Sequence, residues 1–327
     1  MTPDALRPAL PGWGLPEDAA LRLIHFSENA TFRAEHAGHA LVLRLHRVGY
    51  HTEREIRAGP AWLEALAAAR VTPTVTPIAG ANGDALQTVR LDGVQHRLVA
   101  FTAINGREPD PGNDLTTIFA DLGAIAGCLQ RHTRGWTPPP GFTRKRLDSA
   151  AILGPMPHRG DWRAAPGLHA PGRATLERLA ADLTLRLAEY GCGPAHFGLI
   201  HADLRLANLL VDADRIWPID FDDCGFGWWM YDFAAAFSFI EDDPRLPELA
   251  RAWTEGYARI LPLAPEDRAI LPVMVMLRRL LLTAWIASHA DSDPAQALGG
   301  PVFIDATVAL ADRLLAHGPQ CFWADAR

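Results

Sequence analysis

Lysine is almost absent from this chain. Lys145 is the only lysine among 327 residues, and every other basic side chain except histidine belongs to arginine. A phosphate contact that a lysine would ordinarily make therefore falls to an arginine or to Lys145, and arginine adds a planar fork of donors. Cysteine is also scarce, with four scattered residues and no C-x-x-C pair. This spacing indicates neither a zinc site nor a disulfide framework.

Targeting and membrane signals are missing as well. Residues 1–16 are rich in proline and glycine and have no cationic start followed by an apolar run, so we expect no signal peptide. The most apolar stretch, residues 269–288, contains Pro272 and two adjacent arginines, which predicts a buried helix rather than a membrane span. We expect a cytoplasmic protein without a membrane partner.

The charge balance bears on the partners of the protein. The net charge is −7 and 49% of the residues are hydrophobic, which is enough for a sizeable core. Nucleic-acid binders usually carry a basic patch, so we expect no nucleic-acid partner. A charge-neutralising metal such as Mg²⁺ fits this composition better.

Hydrophobic periodicity divides the chain into two parts. Residues 20–104 alternate mostly like strands around one helix, and Asn82-Gly83-Asp84 is typical of a hairpin turn between two strands. From residue 105 onward the helical period dominates, with a Pro-, Gly- and His-rich loop at 155–172. We predict an α+β fold with a small antiparallel-sheet lobe (1–104), a larger helical lobe (105–327) and a hinge near 101–106. Predicted helices cover 62–69, 115–132, 174–190, 246–260, 265–289 and 303–317.

One hairpin gathers oxygen ligands. Two apolar runs at 209–211 and 216–219 flank a polar turn, so Asn208 and Asp220 are expected at the same end of the hairpin. Asp203 lies just upstream. Carboxylate and amide oxygens are the ligands that Mg²⁺ prefers, completed by phosphates and water. Asp203 would remain available to accept a proton from an incoming hydroxyl group.

The spacing His201-x-Asp203-x-x-x-x-Asn208 matches the order of groups used in phosphoryl transfer. Turn-capping Asp and Asn residues are the alternative explanation. Two more motifs follow in order, Ile219-Asp-Phe-Asp222 and Tyr231-Asp-Phe-Ala234. Together these motifs resemble the aminoglycoside phosphotransferase/choline kinase family, in the branch with homoserine kinase-like and stress-response kinase-like bacterial proteins.

The resemblance implies a protein-kinase-like fold and a role for each motif residue. It implies Asp203 as the catalytic base, His201 as support for the catalytic loop, and Asp232 as acceptor for the backbone N–H groups of that loop. It also implies Asn208 and Asp220 as Mg²⁺ ligands. Asp222 is either a further metal ligand or a structural acceptor.

The same resemblance places the nucleotide in the small lobe. A loop at 27–32 would cover the phosphates through backbone groups near Asn29, and Arg44 would replace the usual phosphate-binding lysine. Relatives pair that residue with a helix glutamate, but this chain has Gly59 and then Pro60, so Glu53 or Glu55 would have to substitute and the helix would start late or kink. The adenine contacts are expected at Phe101, Ala103 and Ile104, with Leu98 as an apolar wall.

These expectations predict an enzyme that uses ATP and Mg²⁺ to phosphorylate a hydroxyl group of a small molecule. A protein Ser/Thr kinase and a weakly active nucleotide-binding pseudokinase are the two alternatives. The sequence does not choose between ATP and GTP or name the acceptor. Candidate acceptor-site residues are Arg205, Asp223, Trp228, Trp229, Tyr231 and the 155–172 loop, although the adjacent tryptophans are more often core residues.

Overall fold

The structure is a computed structural model that describes residues 3–26, 29–154, 160–213, 215–290 and 300–319. The chain forms two compact units. The first contains the chain up to Glu108 together with Thr137–Arg144 and Leu209–Asp222. The second contains Pro109–Trp136, Lys145–Asn208 and the chain from Asp223 onward. The domain boundary predicted after residue 104 stays a prediction.

The first unit is built on an antiparallel sheet. A 3-10 helix (Pro3–Trp13) precedes it, and α1 (Glu53–Ala68) lies between its third and fourth strands in sequence. The strand order is β1-β2-β3-β6-β4, and β5 also pairs with β6. Leucines from the 3-10 helix and from β3 and β6 form the buried core of this unit. The strands are β1 (Ala20–Phe26), β2 (Ala30–His36), β3 (His39–His46), β4 (Pro77–Ile78), β5 (Leu86–Leu91) and β6 (Val94–Thr102).

Two tight hairpins order this sheet. The turns Ala37-Gly38 and Asp92-Gly93 have positive φ at both positions, which is the geometry of the two-residue type I′ turn. The hairpin predicted at 82–84 is wrong, because β4 and β5 both pair with β6 and occupy successive parts of the same edge. The loop predicted at 27–32 is also too long, because β2 begins at Ala30; residues 27 and 28 lie outside the described residues.

Helix α1 begins earlier than predicted. Thr52 caps it, with the Thr52 hydroxyl accepting from the Glu55 backbone N–H and the Glu55 carboxylate accepting from the Thr52 backbone N–H. This capping box supplies partners for otherwise unpaired N–H groups at the helix start. Pro60 therefore lies in the helix interior, where it cannot donate to the carbonyl group one turn earlier.

The second unit is mainly helical. It also contains a three-stranded sheet of order β7-β11-β8, formed by β7 (Arg146–Leu147), β8 (Phe197–Ile200) and β11 (Gly225–Trp228). The α+β prediction is confirmed, and the predicted long helices are present with ends shifted by a few residues. They are α2 (Thr116–Gly135), α3 (Ser149–Leu153), α4 (Ala170–Tyr190), α5 (Tyr231–Ala236), α6 (Leu246–Ala258), α7 (Pro265–Ser288) and α8 (Gly300–His317).

Helix α7 is the core helix of the second unit. Among the described residues it is the one helix long and apolar enough to cross a membrane, and 89% of its most apolar window is buried inside the protein. Two of its charged residues, Arg278 and Arg279, lie in its middle and are 5% and 2% exposed. Both find partners inside the unit, which agrees with the prediction of a buried helix.

Candidate active site

The predicted hairpin is present in the first unit. Strands β9 (Leu209–Asp212) and β10 (Arg215–Pro218) pair antiparallel, with Leu209 opposite Pro218 and Val211 opposite Ile216. Asp220 follows β10 by two residues and has φ of +62°. This left-handed conformation is unusual for a residue with a side chain and turns the backbone sharply out of the strand. In the second unit, Asn208 ends the short 3-10 helix Leu206–Asn208 immediately before β9.

Asp203 lies at the centre of a hydrogen-bonded cluster in the second unit. Its carboxylate accepts from Asn208 Nδ2 at 2.6 Å, from Arg205 Nε at 3.3 Å and from Arg278 Nη2. Burial alone would raise the pKa of Asp203, but Arg205, Arg278 and His201 lower it to about 2. The carboxylate is therefore ionised at neutral pH and held in one orientation by three donors.

The loop that carries Asp203 is fixed from behind by Asp232. The buried Asp232 carboxylate accepts from the backbone N–H of Ala202 at 2.7 Å and of His201 at 3.2 Å. Ala202 has φ of +68°, a conformation that favours glycine, and these two hydrogen bonds help to hold it there. Burial raises the pKa of Asp232. His201 is fully buried, and its Nδ1 accepts from the Asp203 backbone N–H at 3.3 Å.

A second cluster of charges lies within the first unit. Arg44 Nη1 donates to Asp220 Oδ1 at 2.7 Å. Asn29 is buried, and its Nδ2 donates to Asp222 while its Oδ1 accepts from the Arg47 backbone N–H at 2.9 Å. The strand β3 thus presents Arg44 to the segment after β10, as the alternation of that strand predicts.

Asp222 belongs to the same cluster and is more enclosed than Asp220. Its side chain is 15% exposed, against 31% for Asp220. Burial alone would raise the pKa of Asp222, but the surrounding basic groups, led by His46 and Arg44, hold it well below its ordinary range. Burial in turn lowers the pKa of His46.

The chemistry of the free oxygens fits a hard divalent cation. Asn208 uses its NH₂ group on Asp203, which leaves its amide oxygen as an acceptor. Asp220 uses Oδ1 on Arg44, which leaves Oδ2. Across the described ranges, no group of three His, Cys, Asp or Glu side chains is placed to hold a metal by itself. A cation bound at either oxygen would need phosphate and water oxygens to complete its shell, which is the usual arrangement for Mg²⁺.

The residues predicted to contact adenine lie on and just after β6. Phe101 is inside the sheet, opposite Val42 of β3 and Pro77 of β4. Ala103 and Ile104 follow the strand and are partly buried. Leu98 is fully buried in the leucine-rich core, so its role there is packing.

The glutamates suggested as partners of Arg44 have other contacts. Glu53 pairs with Arg57 and Arg97 on the surface, and the Glu55 carboxylate closes the capping box of α1. The contacts of Arg44 run to Asp220 and, at 3.8 Å, to Asp222.

The predicted acceptor-site residues fall into two groups. Trp228 and Trp229 are buried, and their ring N–H groups donate to the carbonyls of Gly191 and Pro194. They are therefore core residues, which is the alternative given above for adjacent tryptophans. Arg205 stays close to Asp203, and the buried Tyr231 ring lies 5.8 Å from the Arg278 guanidinium. Asp223 is partly buried, and residues 155–159 of the predicted loop lie outside the described residues.

Sequence reasoning missed several residues of both clusters. Arg278 is 75 residues from Asp203 in sequence. The sequence feature that points to it is a charged residue inside an apolar helix, because such a residue needs a partner in the core. His46, His51 and Arg144 approach Asp222 from separate segments of the chain.

Comparisons with known proteins agree with this geometry. The model of the phosphotransferase enzyme family matches residues 22–264. A microcompartment-associated aminopropanol kinase is 42% identical, covers 96% of this chain and 98% of its own, and superposes with a TM-score of 0.89. Amicoumacin kinase of Bacillus subtilis (strain 168) is 22% identical over 83% of this chain and 80% of its own. The amicoumacin kinase hAmiN, solved in complex with AMP-PNP, Ca²⁺ and Ami, is 18% identical over 88% of each chain, with a TM-score of 0.73. Because the family model covers well over half of the sequence, this chain belongs to the phosphotransferase enzyme family and is a kinase with its α+β kinase-like fold.

Proposed function

We propose that this kinase transfers the γ-phosphate of ATP, with Mg²⁺, to the hydroxyl group of a small amino alcohol. The observation that carries the proposal is the Asp203 carboxylate, which is ionised and held by Asn208, Arg205 and Arg278. The similarity to an aminopropanol kinase supports the acceptor class, because the two chains match over nearly their whole length. This choice narrows the open list of acceptors to compounds with a hydroxyl group near an amine.

We propose that Asp203 orients the acceptor hydroxyl and accepts its proton as the new P–O bond forms. A carboxylate with a pKa of about 2 is a weak base in the ground state. A weak base is sufficient for phosphoryl transfer, because the loose transition state of this reaction depends on positioning and charge stabilisation more than on early deprotonation of the acceptor. His201 and Asp232 would keep the loop in position throughout.

The nucleotide side of the proposal uses the first unit. Arg44 would bind the phosphates as the arginine substitute for lysine, and backbone groups next to Asn29 would cover them. Hydrogen bonds to adenine would come from the backbone at Ala103 and Ile104, beside Phe101. The amicoumacin kinase complex with AMP-PNP supports nucleotide use by this fold.

We further propose that Asn208 and Asp220 bind the divalent cation through Asn208 Oδ1 and Asp220 Oδ2. When bound, the cation would neutralise the charge of the phosphates. Mg²⁺ is the proposed ion because both protein ligands are hard oxygens. The Ca²⁺ in the amicoumacin kinase complex supports a divalent ion in this fold.

The test is ADP release from ATP and Mg²⁺ with a panel of acceptors. The panel compares 1-amino-2-propanol, ethanolamine, choline and homoserine with 1,2-propanediol, which replaces the amine of aminopropanol by a hydroxyl. We expect turnover with at least one amino alcohol and little with the diol, and Asp203→Asn should lower kcat by about 10²- to 10⁴-fold. Equal rates with the diol would contradict the acceptor class, and an undiminished kcat for Asp203→Asn would contradict the role of Asp203.

A further inference from the structure

Asp222 joins three segments of the first unit through its carboxylate. Asn29, just before β2, donates to Asp222 Oδ2. From β3, Arg44 Nη1 and His46 Nδ1 each lie 3.8 Å from Oδ1, and His51 Nε2, just before α1, lies 3.9 Å from Oδ2. Each carboxylate oxygen thus faces basic or amide groups of the protein itself.

Arg144 ties the backbone of the same residue to α1. Its Nη2 donates to the Asp222 carbonyl, and its Nη1 donates to the Glu55 carbonyl at 2.7 Å. Arg144 is 8% exposed, so this two-pronged contact is shielded from water. A lysine has no planar fork and would have to reach both carbonyls from a single nitrogen atom.

Apolar packing reinforces this connection. The Phe221 ring meets the buried Trp62 ring edge-on at 5.4 Å. At Gly59, the position of the absent helix glutamate, the Phe221 carbonyl oxygen lies 4.0 Å from where a Cβ would be. Helix α1 therefore meets the short 3-10 helix Phe221–Asp223 through Arg144, Trp62 and Gly59.

The surroundings of Asp222 disfavour a metal ion. A divalent cation at its oxygens would stand close to the Arg44 guanidinium, with the Arg144 guanidinium at the adjoining backbone carbonyl and the Asn29 NH₂ group already on Oδ2. Like charges at these distances repel strongly in a water-poor site. Asp220 is also bonded to Arg44, at 2.7 Å, but that contact uses Oδ1 alone, and the Asp220 side chain is about twice as exposed as that of Asp222 (31% against 15%).

We propose that Asp222 is a positioning residue and not a metal ligand: with Arg144, it holds Arg44 and helix α1 in the arrangement that receives the nucleotide phosphates. The inference rests on the proposed function in one respect, the role of Arg44 in phosphate binding.

The test separates nucleotide affinity from metal requirement. Asp222→Asn and Arg144→Lys should each raise the KM for ATP by about 10- to 100-fold, the loss expected when a buried charged hydrogen bond is removed. The Mg²⁺ concentration for half-maximal activity, at saturating ATP, should stay within about twofold of wild type. Asp220→Asn should instead raise that Mg²⁺ concentration.

The double variant and a matched control sharpen the result. Combining Asp222→Asn with Arg144→Lys should cost less than the sum of the two, because the residues act through one network. Asp84→Asn is the control: Asp84 pairs with Arg57 on the surface of the same unit and should leave both constants unchanged. A raised Mg²⁺ requirement for Asp222→Asn, rescued by Mn²⁺, would overturn the inference, as would an unchanged KM for ATP.

Two precautions keep the outcomes distinct. Circular dichroism checks folding, and Arg144→Lys carries the test if Asp222→Asn does not fold, because it leaves the carboxylate in place. Calorimetric titration with AMP-PNP measures nucleotide affinity without turnover. If the wild type phosphorylates no acceptor, the proposed function fails, while weaker AMP-PNP binding by Arg144→Lys still supports the positioning role and unchanged binding refutes it.

Discussion

The contact between α2 and α6 depends on two glycines. A Cβ added at Gly123 would lie 1.9 Å from the Trp253 carbonyl oxygen, and one added at Gly256 would lie 1.8 Å from the Ala120 carbonyl oxygen. Both obstacles are backbone atoms, so they cannot rotate away like the end of a side chain. Relief requires the helices to separate by about 1.5 Å before ordinary contact distances return.

This geometry sets the expected size of the effect of Gly123→Ala. In a free helix the change would stabilise by about 1 kcal/mol. Overpacking typically costs about 1–3 kcal/mol, and a backbone obstacle places this site at the upper end. We therefore expect a net loss of about 2 kcal/mol in the free energy of unfolding.

Urea unfolding followed by circular dichroism measures the difference. Gly123→Ala should lower the midpoint with an unchanged slope. Gly135→Ala is the matched control, because Gly135 ends the same helix and nothing lies within 4 Å of its added Cβ. That variant should be as stable as the wild type or slightly more so. A midpoint for Gly123→Ala at or above the wild-type value would refute the close-packing argument.

Three further predictions test individual contacts. Asp232→Ala leaves two buried backbone N–H groups unpaired, so it should lower the free energy of unfolding by about 2–4 kcal/mol and remove most of kcat. Asp232→Asn keeps one acceptor oxygen and should lower both quantities less. Equal losses for the two variants, measured by urea unfolding and by ADP release, would contradict this role of Asp232. Ala202→Gly relieves a left-handed alanine and should add up to about 1 kcal/mol, so a lower unfolding midpoint would show that this conformation is not strained. Arg279→Met leaves the buried Glu241 carboxylate without its 2.7 Å partner and should lower the free energy of unfolding by about 3–5 kcal/mol. Arg178→Met breaks an exposed pair and should lower it by less than about 1 kcal/mol. Similar unfolding midpoints for the two variants would refute the role of burial.

Features that depend on neighbouring residues could be read in advance. The β9–β10 hairpin follows from two apolar runs around a polar turn, and the end of α4 follows from Gly191, which has φ of +80°. The order of His201, Asp203 and Asn208 is likewise a local property, because the hydrogen bonds among them span at most five residues. Local spacing determines such contacts directly.

Two local sequence signals did not predict the observed secondary structure correctly. The turn at 82–84 has hairpin chemistry, yet β4 and β5 both pair with β6, because strand partners are chosen by distant residues. Pro60 suggested a late helix start, but the capping box at Thr52 and Glu55 starts the helix earlier, and its buried face outweighs the lost hydrogen bond. In both cases tertiary packing prevailed over a preference of a few residues.

What the sequence by itself determined is the type of chemistry: which residues carry carboxylates and amides, at what spacing, and that a phosphate contact usually made by lysine falls to an arginine or to Lys145. What only the tertiary structure decided is which charge meets which. Arg278 reaches Asp203 across 75 residues, and Arg144 joins Asp222 to Glu55 across 78 and 89 residues. Burial makes such partners obligatory, because an unpaired charge in the interior is too costly to keep. Since many distant residues could satisfy that requirement, the folded chain alone selects the partner.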